Sequence, residues 1–407
     1  MRLDHAARLE RLLERHPTAV LAEHEPGRTC LYRRDEVLVS RQDADRVGER
    51  ARRWVDERED FDELAVARLR LRSNARVNLG ELVTSLGDAG RHRQLEVTPN
   101  YLLRGEPHYG GGPFDTPVPV SAVRLPSRSM PTAREITVGV LDTGINPHPW
   151  FSDTAWFADC GPDVHEVLDG NEDYELDSEA GHGTFIAGVI LQQAPDARVY
   201  VERVLGSDGV GEELDLIRGL AALRRKCEAA GRTVDIINLS LGGYTLDDRP
   251  SPLLTQAIAR LGRRTVIVAA AGNNGSDRPF WPAALKNCIA VGSLNAGELD
   301  RSSFSNYGWW VDACAVGEGI SSSFVSFDHS KDSGDRDFFG YAVWSGTSFA
   351  APNVAGGIAA LAAMKEEDVS VAEAADVILD QDTNPTMPDL GVIVSDEALG
   401  LSPANPT

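Results

Sequence analysis

The 407 residues carry 40 Lys and Arg against 62 Asp and Glu, a formal net charge of −22. Residues 1–110 hold 20 of each sign, so the excess, 42 acidic against 20 basic groups, falls entirely in residues 111–407; such a surface is unsuited to nucleic acid or anionic membranes, which require a basic patch. No apolar run approaches the ~18 residues of a membrane-spanning helix, and the charged start "MRLDHAARLERLLERHPTAVLAEHEPG" lacks the apolar core of a secretory signal. The five cysteines, Cys30, Cys160, Cys227, Cys288 and Cys314, are far apart and show no metal-ligand spacing. These features predict a cytoplasmic chain with buried free thiols and neither metal nor other cofactor.

A helical leader is expected over residues 1–27. Residues 28–107 read as a small α+β domain, in which "DEVLVS" is a strand and "QDADRVGERARRWVDE" a helix of period near 3.6. "LAVARLRLR" alternates as a second strand, "NLGELVTSL" is a short helix capped by Asn78, and "QLEVTPNYLL" is the last strand. The intervening "DEREDF" leaves no room for a further strand. Residues 108–134, rich in Gly, Pro and Ser and including Gly110 to Gly112, are linker or a surface-hugging segment. Over 135–407 the rhythm changes. "EITVGVLD", "ARVYVERVL", "VDIINLSL", "RTVIVAAAG" and "NCIAVGSL" are apolar runs with helical patterns between several of them, which implies an α/β domain with a mostly parallel sheet covered by helices on both faces.

In such sheets reactive groups lie beyond the C-terminal strand ends. Asp142 ends "ITVGVLD"; His182 stands between glycines where an apolar helix begins; Asn273 follows "IVAAAG"; Ser348 lies in "WSGTSFAAPNVAG". Taken singly, each has an ordinary structural use: a turn cap, a core histidine, a turn asparagine, a helix N-cap. Taken together, they supply a serine hydroxyl, an imidazole to remove its proton, a carboxylate to orient the imidazole, and an amide donor for an oxyanion.

The ordered segments "VGVLDTGINPHP", "GHGTFIAG", "INLSLGG", "VAAAGNNG" and "WSGTSFAAPNVAG" resemble the subtilisin-like serine proteases, peptidase family S8, over roughly residues 135 to 365. The order Asp, His, Ser is that of subtilisin itself. The resemblance implies that Asp142 orients, His182 acts as general base and then acid, Ser348 is the nucleophile and Asn273 the oxyanion donor. It further implies that Ser240, Leu241 and Gly242 pair with one side of an extended polypeptide, and Gly209 and Gly211 of "GSDGVG" with the other. Phe280 takes the place of a small residue at the floor of the pocket for the substrate residue preceding the scissile bond, which predicts a shallow pocket. Glu212, Glu213 and Asp215 would then favour a basic residue further upstream, or form a solvated acidic face.

Departures from the family pattern are informative. Trp150 stands where an Asp is common, and "AGVILQQAPDARVY" runs from helix to strand without the usual calcium loop, so the strong calcium site is expected to be missing; weaker sites remain open in acidic loops such as "DHSKDSGDRD". Phe349 replaces a common Met. Residues 28–107 resemble, more distantly, the family's inhibitor-like propeptide domain, docking in cis or on another protein. The resulting expectation is an intracellular serine endopeptidase used in processing or regulated proteolysis. A protease effector or peptide-binding subunit of a multi-protein system, and an acyl hydrolase or transpeptidase with the same groups, stay open.

Overall fold

The computed structural model describes residues 5–75, 77–88, 94–105, 113–125, 132–297, 300–329, 337–364 and 369–395; Gly110 to Gly112 and most of "DHSKDSGDRD" lie outside them. The elements in chain order are α1 (His5–Arg15), β1 (Ala19–Glu25), β2 (Arg28–Ser40), α2 (Ala44–Ala51), β3 (Val55–Phe61), β4 (Val66–Leu71), α3 (Leu79–Gly87) and β5 (Val97–Arg104). Then come β6 (Val118–Pro119), β7 (Thr137–Asp142), α4 (Ala155–Cys160), α5 (His182–Gln193), β8 (Arg198–Arg203), β9 (Val210–Glu212), α6 (Glu213–Ala229), β10 (Ile236–Leu239), α7 (Pro252–Ala259), β11 (Val266–Ala270) and β12 (Ile289–Leu294). The chain closes with β13 (Ala313–Val316), β14 (Ile320–Phe327), β15 (Phe338–Trp344), α8 (Thr347–Met364), α9 (Val371–Ile378), β16 (Thr386–Met387) and β17 (Gly391–Ile393).

Two compact units result. The first comprises residues 1–103 with 211–221 and 243–261, the second residues 104–210, 222–242 and 262–407.

In the first unit the 13-residue β2 is the organising strand. Its early half pairs antiparallel with β1 and its later half with β4, while β5 runs along it with an irregularity between Tyr32 and Val37. One face of this sheet is apolar because Val37, Val39, Ala67 and Leu69 alternate inward, and Val47 of α2 with Leu79, Leu82 and Leu86 of α3 cover it. Asn78 caps α3 as its position predicts, accepting from the Gly80 and Glu81 amides. Two expectations fail here. Residues 19–25 of the supposed helical leader form β1, and "DEREDF" lies within β3. β3 escaped the apolar-alternation signal because its outward residues are charged: Glu59 pairs with Arg68 and Glu57 with Arg70 across to β4.

The second unit is built on an eight-stranded sheet of order β16-β17-β13-β12-β11-β10-β7-β8. Its strand pairs are parallel except β16 with β17, as the alternating runs predict. β7 and β10 to β12 are buried almost throughout, the pattern of strands covered on both faces. Leu223 of α6 reaches β7 where Gly139 has no side chain; a Cβ there would stand 2.3 Å from it. α8 is 18 residues long and, contrary to the sequence expectation, apolar enough by composition to cross a membrane. It is instead the core helix, with Phe349, Ala350, Val354, Ala355, Ile358 and Ala359 sealed. Chain order puts β8 on one side of β7 and β10 on the other, and ligand crevices in α/β sheets open at the carboxyl ends beside such a reversal. All five cysteines are buried free thiols, and burial pushes those of Cys227, Cys288 and Cys314 up to about 12.

Candidate active site

Asp142 is the last residue of β7 and wholly buried; His182 opens α5 and is buried too. His182 Nδ1 lies 2.7 Å from Asp142 Oδ1, which also accepts from the Thr143 amide at 2.8 Å. The loop after Asp142 and the start of α5 approach this closely because both are glycine-bearing: a Cβ on Gly183 would fall 2.1 Å from the Gly144 carbonyl oxygen. The imidazole is walled by Trp344 and Phe349, each with its ring centre 5.4 Å away. Burial disfavours its charged form, yet the Asp142 carboxylate, aided by Glu179 and Glu166, outweighs burial and raises its affinity for a proton above the ordinary histidine range.

Ser348 is the second residue of α8, at an end where backbone N–H groups have no helical partner. Two hydroxyl contacts fix it. Ser240 Oγ donates to the Ser348 carbonyl at 2.8 Å, and Ser348 Oγ donates to the Ser240 carbonyl at 3.4 Å. Asn273 is tied to the same helix start, its Oδ1 accepting from the Thr347 amide at 2.9 Å and the Thr347 hydroxyl at 2.8 Å, while Thr347 Oγ1 accepts from the Gly272 amide. With Oδ1 so engaged, Nδ2 is directed the other way. A Cβ placed on Gly346 would stand 3.5 Å from that Nδ2 and 3.6 Å from the Ser348 amide nitrogen, so glycine at 346 keeps open the space that both donors border.

The predicted binding edges are engaged by the chain itself. Arg104 and Gly242 form an antiparallel bridge, with the Arg104 amide donating to the Gly242 carbonyl at 2.8 Å and the Gly242 amide to that of Arg104 at 2.9 Å. The Gly105 amide donates to the Gly209 carbonyl at 2.9 Å, and a Cβ on Gly105 would lie 3.5 Å from His182 Cε1. Ser240 and Leu241 are buried beside Gly242. Gly211 lies in β9 and is grouped with the first unit. Phe280 is buried between two glycines: a Cβ on Gly242 would come within 2.3 Å of its ring, and one on Gly272 within 3.1 Å.

The acidic residues after Gly211 depart from expectation. Glu212 pairs with Arg33 and accepts from Asn100, and Glu213 is buried against the Ser251 hydroxyl, its carboxyl pushed up to about 8 by burial. Both are committed inside the first unit, which removes the grounds for a basic preference based on them. The site also uses Thr143 and Glu166, described below, and Thr347, none of them a sequence-predicted site residue. Thr143 and Thr347 each adjoin a candidate residue, which was the available signal; Glu166 sits in a loop without any motif.

Chemically, this arrangement suits acyl transfer: a hydroxyl and two donors at one helix start, and a carboxylate-bound imidazole at another. A model of the Subtilase family, Peptidase_S8, matches residues 133–398. The chain is 34% identical over 257 residues to the thermophilic serine proteinase of Bacillus sp. (strain AK1), covering 60% of this chain and 56% of that protein. It is 34% identical over 239 residues to subtilisin BL of Lederbergia lenta, covering 56% and 76% respectively. It thus spans little more than half of some of the relatives it matches. Among solved structures, a protease from Pseudoalteromonas arctica superimposes with a TM-score of 0.51 at 25% identity, covering 65% of this chain and 88% of that one. Fervidolysin from Fervidobacterium pennivorans shares the fold at a TM-score of 0.61 and 19% identity, covering 92% of this chain and 61% of that one. The chain belongs to the subtilase family.

Proposed function

We propose that the chain is a serine endopeptidase that hydrolyses extended polypeptide through an acyl-enzyme. The observation that carries this reading is the 2.7 Å contact between Asp142 and His182, together with the hydrogen bond by which Asn273 holds the first residue of the helix that carries Ser348. His182 Nε2 takes the Ser348 hydroxyl proton as Oγ bonds to the scissile carbonyl carbon. The carbonyl oxygen becomes an oxyanion, received by Asn273 Nδ2 and the Ser348 amide. As the intermediate collapses, the C–N bond breaks and His182 gives its proton to the leaving amine. Water then enters by the same steps in reverse, losing a proton to His182 and releasing the acid and Ser348. Asp142 holds Nδ1–H toward itself throughout.

Substrate specificity follows from Phe280. A ring wedged between Gly242 and Gly272 takes the volume that a large substrate side chain would need beside the Asn273 loop, so small residues such as Ala are favoured before the scissile bond. Residues 28–107 are read as an inhibitor of the catalytic unit, supported by the way Arg104 and Gly105 take up main-chain partners on Gly242 and Gly209. Supplied as a separate polypeptide, residues 28–107 should inhibit residues 108–407 at micromolar concentration, with both pieces checked for folding; absence of inhibition would remove this role. The buried free thiols support an intracellular setting, and cell fractionation checks it. The central test is labelling by a fluorophosphonate probe: attachment to Ser348, abolished in Ser348→Ala together with cleavage of a peptide library, is the expected result. Near wild-type cleavage by Ser348→Ala would refute the mechanism.

A further inference from the structure

Glu166 lies in the loop between α4 and α5, and its carboxyl is buried away from solvent. It accepts four hydrogen bonds, two on each oxygen. Oε1 accepts from the Thr184 amide at 3.0 Å and the Thr184 hydroxyl at 2.5 Å; Oε2 accepts from the Gly181 amide at 2.6 Å and the Thr143 hydroxyl at 2.8 Å. These donors come from the two segments that carry the catalytic couple, since Thr143 follows Asp142, and Gly181 and Thr184 flank His182. Thr143 Oγ1 closes the knot by accepting from the Gly183 amide at 2.9 Å. It has one proton and two possible acceptors, Glu166 Oε2 at 2.8 Å and Asp142 Oδ1 at 3.3 Å. By taking that proton, Glu166 leaves Oδ1 less encumbered for the His182 Nδ1–H.

We propose that Glu166 is a positioning residue for the reaction: its carboxylate clamps the strand end of Asp142 to the first turn of the His182 helix and so sets the Asp142–His182 contact. All four donors match an ionised carboxylate; a neutral carboxyl would have to turn a proton toward one of them. A negative charge at this helix start also offsets the positive end of the helix dipole, which by itself would disfavour the imidazolium. Burial pushes the carboxyl up from its usual range, and the four hydrogen bonds oppose that. The charged groups facing His182 are Asp142, Glu179 and Glu166, so loss of the Glu166 charge should lower the proton affinity of His182.

This inference rests on the protease reading, and the experiment separates the two. In the full chain, Glu166→Gln keeps the shape and removes the charge. The expected result is a kcat lower by about 10- to 100-fold, the scale of small misplacements of reacting groups, with KM changed less than about twofold. The acid limb of kcat/KM should move to lower pH, and Glu166→Asp should recover part of kcat. If Glu166→Gln does not fold, Thr184→Val, which deletes one donor to Oε1, should show the same kcat loss to a smaller degree, with Thr184→Ser restoring it. A folded Glu166→Gln, or in its place Thr184→Val, with unchanged kcat and acid limb overturns the proposal. Should the wild-type chain neither cleave peptides nor react with the fluorophosphonate, the protease reading fails. Glu166 is then judged on the downfield proton resonance of His182 Nδ1–H: displacement in the folded variant supports the clamp, and an unmoved resonance overturns it.

Discussion

His148 is a group whose titration should cost the fold stability on mild acidification. It lies in the loop that follows Asp142, with its ring edge-on to Trp150 and Tyr341 at 5.3 and 4.9 Å between ring centres. Nε2 lies 3.0 Å from the Gly340 carbonyl and Nδ1 accepts from the Trp150 amide at 3.2 Å. The ring therefore uses one nitrogen as donor and the other as acceptor, a pattern available only to neutral imidazole; a proton on Nδ1 would face the Trp150 N–H. Burial lowers its pKa from 6.5 to about 4 despite the Gly340 contact. The unfolded chain thus binds the proton first as pH falls, and stability drops between about pH 6.5 and 4, then levels off. The gap between about 6.5 and about 4, at about 1.36 kcal/mol per pH unit, amounts to about 2–3 kcal/mol after allowing for solvent screening. Glu213 and Glu166, with folded values raised, act in the opposite sense and gain stability as pH falls, so the measurement must be a difference. Urea unfolding of Ser348→Ala, chosen to prevent self-digestion, with and without His148→Gln at pH 7.5, 6, 5 and 4 provides it. The histidine protein should lose about 2–3 kcal/mol more than the glutamine variant across this range, and parallel curves would refute the argument.

If Asn273 is the oxyanion donor proposed, Asn273→Ala should lower kcat on the order of 10²–10³, the loss known for the oxyanion-hole asparagine of subtilisin; steady-state kinetics check it. Because the base must be neutral and Asp142 raises the proton affinity of His182, kcat/KM should still be rising with pH above the ordinary histidine value of about 6.5, and a profile already flat at pH 6 would contradict this. Phe280→Ala should shift library preference before the scissile bond from Ala toward Leu and Phe, at a stability cost of about 3–5 kcal/mol, so folding is verified by circular dichroism; a wild-type preference for Phe or Leu would sink the shallow pocket. With Trp150 packed on His148 and Tyr341, a chelator should leave the melting temperature unchanged, and a large fall would reveal a calcium site.

The parallel sheet was legible because its strands are short continuous apolar runs, and fully covered strands need no polar alternation. The candidate residues were legible because each stands just past such a run or at the start of an apolar helix, a place the sequence marks with glycine: Gly144 after Asp142, Gly181 and Gly183 about His182, Gly272 before Asn273, Gly346 before Ser348. Other features were hidden for definite reasons. β3 is stabilised by ion pairs to β4, so it carries no apolar period. Glu166 makes its contacts through a carboxylate in an irregular loop, where nothing in the local sequence separates a buried acid from an exposed one. Glu212 and Glu213 look alike beside Gly211, yet their partners, Arg33, Asn100 and Ser251, are distant in sequence.

The hydroxyls explain how the candidate catalytic groups, from separate strands, hold one geometry. A loop leaving a strand has few obligatory hydrogen bonds and would otherwise wander by more than the tolerance of a reaction between positioned groups. Here each loop is pinned by a short side chain to backbone or side-chain atoms of another element: Ser240 to the Ser348 carbonyl, Thr347 to Asn273 and the Gly272 amide, Thr143 to the Gly183 amide and Glu166. Short hydroxyls suit the task because they have few rotamers to lose and can donate and accept at once. Each is buried, so replacing one with an apolar isostere would leave its partner's polar atom unsatisfied at about 1–3 kcal/mol, with the strain falling on the spacing between Asp142, His182 and Ser348. On the proposed function, small residues around Ser348 thus meet two demands at once: room for a substrate backbone, and room for neighbouring loops to come within hydrogen-bonding distance of one another.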